Sequence, residues 1–90
     1  MKVIKVGAVW CNGCNVMRPR WKKIESENTW LVTKYLDFDI DSKEITKYKI
    51  EGQNLPCFIF LDKNSKELLR LNGEVSEEDL LKHINNFKDK

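Results

Sequence analysis

Trp10-Cys11-Asn12-Gly13-Cys14 is the stretch on which the reading of the fold turns. The residues before it, Val3 to Trp10, are apolar and rich in β-branched side chains, and they read as a buried strand. From Cys11 to about Asn28 the period changes. Met17, Trp21 and Ile24 fall at i, i+4 and i+7, one face of a helix, while Arg18, Arg20, Lys22 and Lys23 lie largely outside that stripe. Pro19 sits within it and cannot donate to the carbonyl of Asn15, so a kink is expected there. The two cysteines therefore stand where a strand becomes a helix. A helix N-terminus offers free N–H groups and the positive end of the macrodipole. A thiolate is stabilised there, and the thiolate is the form that attacks a disulfide. Two intervening residues put the second sulfur one turn on, close enough to close a ring, with Gly13 supplying a flexible backbone. Cys11, at the exposed tip, is then the attacking thiol. Cys14, one turn deeper, releases the product.

Outward from this stretch the chain alternates between the two periods. Leu31 to Ile40 reads as a strand with Tyr35, Asp37 and Asp39 on one face and Leu36, Phe38 and Ile40 on the other, near a sheet edge. Asp41 to Tyr48 reads as a short helix opened by Asp41 or Ser42 and closed before Gly52. Cys57 to Leu61 and Glu67 to Leu71 are strands joined by a hairpin loop at Asp62 to Lys66. Gly73 breaks the second of them. Ser76-Glu77-Glu78-Asp79 resembles a capping box, and Leu80, Leu81, Ile84 and Phe87 form the stripe of a last helix. The order is βαβαββα. The first two strands are joined by a helix and should be parallel, and the hairpin adds an antiparallel pair. An α/β chain with one mixed sheet flanked by helices follows, as a single domain over residues 1–90.

Composition bounds the function. Ninety residues leave no room for a second domain and little room for a core. The charge is nearly balanced, 16 basic against 14 acidic residues, which does not call for nucleic acid. The longest apolar run, Cys57 to Leu61, is far below the ~20 residues that span a bilayer. Three cysteines are too few, and of the wrong parity, for a disulfide-stapled secreted domain. Lys5 interrupts any signal-like apolar segment. A reducing, cytoplasmic compartment is expected, and there a close cysteine pair points to metal or redox chemistry.

The pair between Trp10 and Pro19, Leu55-Pro56 before a strand, and Gly73 after the hairpin together resemble the thioredoxin family over essentially the whole chain. The resemblance is to the minimal form of the thioredoxin fold, a mixed four-stranded sheet without the family's N-terminal strand and helix. It implies a thiol–disulfide oxidoreductase that reduces protein disulfides through a Cys11/Cys14 cycle, takes electrons from a reductase, needs no cofactor, and acts as a monomer. It also implies a cis Leu55–Pro56 bond packed against the pair, with the backbone of Leu55 free to pair with a substrate strand. Trp10 is then expected to shield the pair, and Asn12 and Gly13 to tune it. The dipeptide departs from the family's usual Gly-Pro, so redox poise does not carry over.

Two positions depart further. Where the family has a buried Asp six residues before the first cysteine, this chain has Lys5, and Asp37 stands as its expected partner on the neighbouring strand. A Lys5–Asp37 pair behind Cys14 would relay a proton; the plainer alternative is a lysine snorkelling to the sheet edge. Cys57 is either a third thiol or metal ligand beside the pair, or a small buried residue opening a strand. Two other functions compete. One is a glutathione-dependent, glutaredoxin-type protein, against which stand Asn12-Gly13, Asn54-Leu55 and the single Gly73. The other is a metal module on Cys11, Cys14 and Cys57, for which His83 is a poor fourth ligand.

Overall fold

β3 (Cys57–Leu61) is buried at all five positions, and it organises the rest. A strand covered on both faces reads as an unbroken apolar run, here Cys-Phe-Ile-Phe-Leu. The computed structural model describes residues 1–90. The other elements are β1 (Lys2–Gly7), α1 (Asn12–Glu27), β2 (Val32–Asp37), α2 (Ser42–Lys47), a 3₁₀ turn at Gly52–Asn54, β4 (Glu67–Asn72) and α3 (Glu77–Phe87). The strands form one four-stranded sheet in the order β2-β1-β3-β4. β1 and β2 run parallel, with Lys5 opposite Tyr35 and Gly7 opposite Asp37. β3 lies antiparallel to both β1 and β4. No helix is long and apolar enough to cross a membrane.

Period-two alternation divides the inner strands between two cores. Val3, Phe58 and Phe60 face Met17, Trp21 and Ile24 of α1 and Leu80 and Ile84 of α3. Ile4, Val6, Cys57, Ile59 and Leu61 face the opposite way, against Ile45 of α2 and Ile50. Burying one such large side chain contributes about 1.5–3 kcal/mol. The net stability of a domain is only about 5–15 kcal/mol, so each core position matters. The helical stripe of Met17, Trp21 and Ile24 is buried as its spacing predicts, and α1 continues through Pro19 to Glu27. The last helix is capped as expected, with the Asp79 N–H donating to Ser76 Oγ at 3.1 Å.

Strand ends differ from the sequence reading. β1 stops at Gly7 rather than Trp10, because the Cys11 N–H donates to the Ala8 carbonyl at 3.2 Å and closes a turn through Val9 and Trp10. β2 stops at Asp37 rather than Ile40. The Asp41 carboxylate accepts from the Asp37 N–H at 2.7 Å, and the Asp37 carboxylate accepts from the Asp39 N–H at 2.8 Å. That polar turn ejects Ile40, which is 77% exposed instead of facing a core.

Gly73 ends β4 with φ +89°, and its N–H donates to the Pro56 carbonyl at 2.7 Å. A Cβ at Gly73 would meet nothing within 4 Å. Replacing it therefore carries a conformational cost without a clash. Gly73→Ala should destabilise the fold by about 1–2 kcal/mol, read as a lower urea midpoint at unchanged slope. An unchanged midpoint would show that this backbone relaxes freely.

Candidate active site

The turn that stops β1 places Cys11 at the N-cap of the sixteen-residue helix α1. Cys11 Sγ accepts a hydrogen bond from the Cys14 N–H at 3.2 Å. The first turn holds no acidic residue to oppose a negative sulfur there. Cys11 and Cys14 are joined as a disulfide, with Cα atoms 5.2 Å apart. Neither sits at an open tip. Cys11 is 7% and Cys14 4% exposed, so both are buried and Cys11 is the more accessible. Ala8, Phe38 and Leu55 pack around them.

Gly13 works by proximity rather than by flexibility. A Cβ there would come within 3.0 Å of Pro56 Cδ, so a missing side chain lets the cysteine loop lie against the proline. The Leu55–Pro56 peptide bond is cis. The next carbonyl along, that of Pro56, accepts from the Gly73 N–H, so three segments meet here: the helix start, the proline and the end of β4. Asn12 stands exposed at the helix start. Trp10 is 54% exposed yet fixed. Its Nε1 donates to Asp39 Oδ2 at 2.8 Å, and its ring meets Phe38 edge-on at 6.3 Å.

The expected Lys5–Asp37 pair does not form. The register sets Asp37 opposite Gly7 and Lys5 opposite Tyr35. Asp37 spends its carboxylate on its own turn. Lys5 Nζ instead meets Glu25 Oε2 at 2.5 Å, with Glu25 reaching in from the last turn of α1. Glu25 also accepts from Thr33 Oγ1 at 2.9 Å, and the Lys5 ammonium lies 5.8 Å from the Trp21 ring.

Cys57 is not a poised third thiol. It is 1% exposed and belongs to the core cluster of Ile4, Val6 and Ile59 rather than to that of the pair. Burial pushes its thiol up to about 11, which keeps it protonated at neutral pH. No three His, Cys, Asp or Glu side chains converge to hold a metal.

Four neighbours of the site escaped the sequence reading. Gly7 lies against the pair: a Cβ there would be 3.1 Å from both Cys14 Sγ and Tyr35 Oη. A glycine inside a strand signals such a close approach. Tyr35 and Glu25 need the register and the helix length to be seen. Glu74 comes near Gly13, its Cγ 3.6 Å from where a Cβ would stand, and no local motif marks it.

The thioredoxin family model matches residues 1–86. Among solved structures, a thioredoxin of Nicotiana alata is 26% identical with a TM-score of 0.85, over 96% of this chain and 71% of that one. Fasciola hepatica thioredoxin is 26% identical with a TM-score of 0.84, over 96% and 79%. Thioredoxin-2 of the malaria parasite is 26% identical with a TM-score of 0.85, over 94% and 81%. No curated protein sequence matches the chain.

The cysteines should separate by reactivity. In the reduced native protein at pH 8, N-ethylmaleimide should label Cys11 and leave Cys57 unlabelled until guanidinium unfolds the chain. Mass mapping of the labelled peptides checks this. The folded Cys57 thiol is raised from 9.0 to about 11, so its share of stability is complete below pH 9 and lost as pH rises towards 11. Thermal midpoints of the wild type should fall across that window, and those of Cys57→Ala should fall less.

Proposed function

This chain belongs to the thioredoxin family and is a thiol–disulfide oxidoreductase, and we propose that it reduces protein disulfides, with Cys11 as nucleophile and Cys14 as resolving thiol. The Cys14 N–H aimed at Cys11 Sγ carries the reading. In the reduced protein that N–H and the helix dipole favour the Cys11 thiolate. The thiolate attacks one sulfur of the substrate disulfide. A mixed disulfide forms, and the other substrate sulfur leaves as a thiolate that takes up a proton. Cys14 then attacks Cys11 Sγ. The Cys11–Cys14 bond closes, the second substrate thiol leaves, and two electrons have passed to the substrate. A reductase returns the pair to dithiol.

Leu55 and Pro56 lie beside the pair and would receive the substrate backbone. Asn12, Gly13 and the fixed indole of Trp10 would border it. Glu25 joins Lys5 in the proton role, and Asp37 is left out of it. Lys5, Glu25 and Cys14 line one cavity, which supports a route for the Cys14 proton through that pair. The reducing direction fits a cytoplasmic location and a chain acting as a monomer with soluble partners.

Insulin reduction with dithiothreitol as donor tests the assignment. Cys11→Ser should fall to the rate of dithiothreitol alone. Cys14→Ser should accumulate a mixed disulfide with substrate, visible as added mass. A Cys11→Ser protein that still reduces insulin would overturn the roles. Glu25→Gln should displace the pH–rate profile of the wild type, and a superimposable profile would remove the Lys5–Glu25 pair from proton handling.

A further inference from the structure

We propose that the Tyr35 hydroxyl donates a hydrogen bond to the Cys14 thiolate and so assists the resolving step, in which that thiolate attacks Cys11. The role rests on the redox reading above. Position 7 brings the two groups together. Lys5 and Gly7 of β1 stand opposite Tyr35 and Asp37 of β2. Tyr35 therefore shares a face of the sheet with Lys5, the face that α1 covers through Glu25. Its ring reaches from the edge strand across β1. Chain neighbours aside, Cys14 Sγ and Tyr35 Oη are the two atoms nearest to the place of a Cβ on Gly7, each at 3.1 Å. At most twice that distance parts them, over backbone that carries no side chain. A hydrogen bond spans such a gap directly or through one water. Any side chain at position 7 would stand between them.

Cys14 needs such a donor. It is 4% exposed, and burial disfavours the charged form of a thiol. Its own N–H is aimed at Cys11 Sγ rather than at its own sulfur. The charged groups around it are committed elsewhere or distant from the sulfur. Lys5 of β1 and Glu25 of α1 pair with each other, and Glu25 also accepts from Thr33. Arg18 and Lys22 stand exposed on α1. Asp37 of β2 holds its carboxylate in its own turn, and Glu74, after β4, lies at Gly13. β3 brings only Cys57, which faces the opposite core. The Tyr35 hydroxyl takes part in neither bond of Glu25, and it offers a donor without adding a charge.

In the mixed disulfide Cys14 loses its proton, and its sulfur forms the bond to Cys11 Sγ. The bond from Cys11 to the substrate breaks, and the substrate sulfur leaves with the electron pair and takes up a proton. Tyr35 keeps its own proton throughout. A hydrogen bond to a charged group corresponds to about one pH unit, or a tenfold larger thiolate fraction near neutrality. Nucleophilicity falls with a slope of only about 0.4–0.5 per unit, so about a threefold gain in rate remains.

Tyr35→Phe removes the hydroxyl and keeps the ring. The probe is dithiobis(nitrobenzoate), followed by stopped flow on the reduced protein. One coloured thiolate is released when Cys11 attacks, and a second when Cys14 resolves the mixed disulfide. At pH 7 the variant should release the first at the wild-type rate and the second about threefold more slowly. The ¹³Cβ resonance of Cys14 in the reduced protein, assigned with Cys14→Ser, reports its ionisation directly. Its midpoint should lie about one pH unit higher in Tyr35→Phe, a shift that a merely structural tyrosine would not cause. An unchanged midpoint, or equal rates in the second phase, would overturn the role. Release by Cys11→Ser as fast as by the wild type would instead count against the redox reading, because the first phase does not involve Tyr35.

Discussion

Two loops must lie back to back with nothing between them. The cysteine loop rests on Pro56 at Gly13, where even a methyl group would sit 3.0 Å from the proline ring. The far side of Pro56 is tied to the end of β4 by the Gly73 N–H. Each contact depends on a glycine for a different reason. Gly13 supplies room, and Gly73 supplies a left-handed backbone that other residues adopt at a cost. The reactive sulfurs are positioned by these constraints and by the rigid strand beneath them. β3 is buried throughout, so the proline at its start inherits the stability of the core.

The chemistry is asymmetric across this seam. Cys11 faces the helix dipole and the Cys14 N–H. Cys14 faces inward, over Gly7 and beside Tyr35. The ion pair beneath is Lys5–Glu25, supplied by a strand and by the far end of the same helix that begins at the cysteines. One helix thus contributes the nucleophile's environment at its start and a carboxylate near its end. A shift of α1 along the sheet would disturb both together.

Much of this was legible before any coordinates. The five-residue run from Cys57 to Leu61 marks a strand covered on both sides, and Met17, Trp21 and Ile24 mark the face that α1 buries. The cysteine pair at the strand-to-helix junction marks the site. Readings failed where a fact about register or turn geometry was needed. Lys5 and Asp37 belong to neighbouring strands, but their alignment differs by two residues, and spacing along the chain does not reveal that. The strand alternation through Ile40 continued past its true end because hydrogen bonds among Asp37, Asp39 and Asp41 close a turn there. Polar residues on a wet strand face and polar residues in a turn look alike in sequence. Cys57 shows the converse. Its closeness in sequence to the proline made it a candidate, yet alternation along β3 turns its side chain into the core around Ile4 and Ile59.

β1 precedes both of its partners in the chain and is an inner strand of the sheet, paired on one side with β2 and on the other with β3. Its second partner runs from residue 57 to 61, with Lys2 opposite Leu61. On a ribosome, β1, α1 and β2 can assemble as a local parallel unit, but β1 keeps one bare edge until Leu61 has emerged. Pro56 arrives in the same stretch. Between the emergence of Cys14 and that of Pro56 the chain therefore carries both thiols without the proline that later lies against them. The pair is most open to premature oxidation while the protein is still being made.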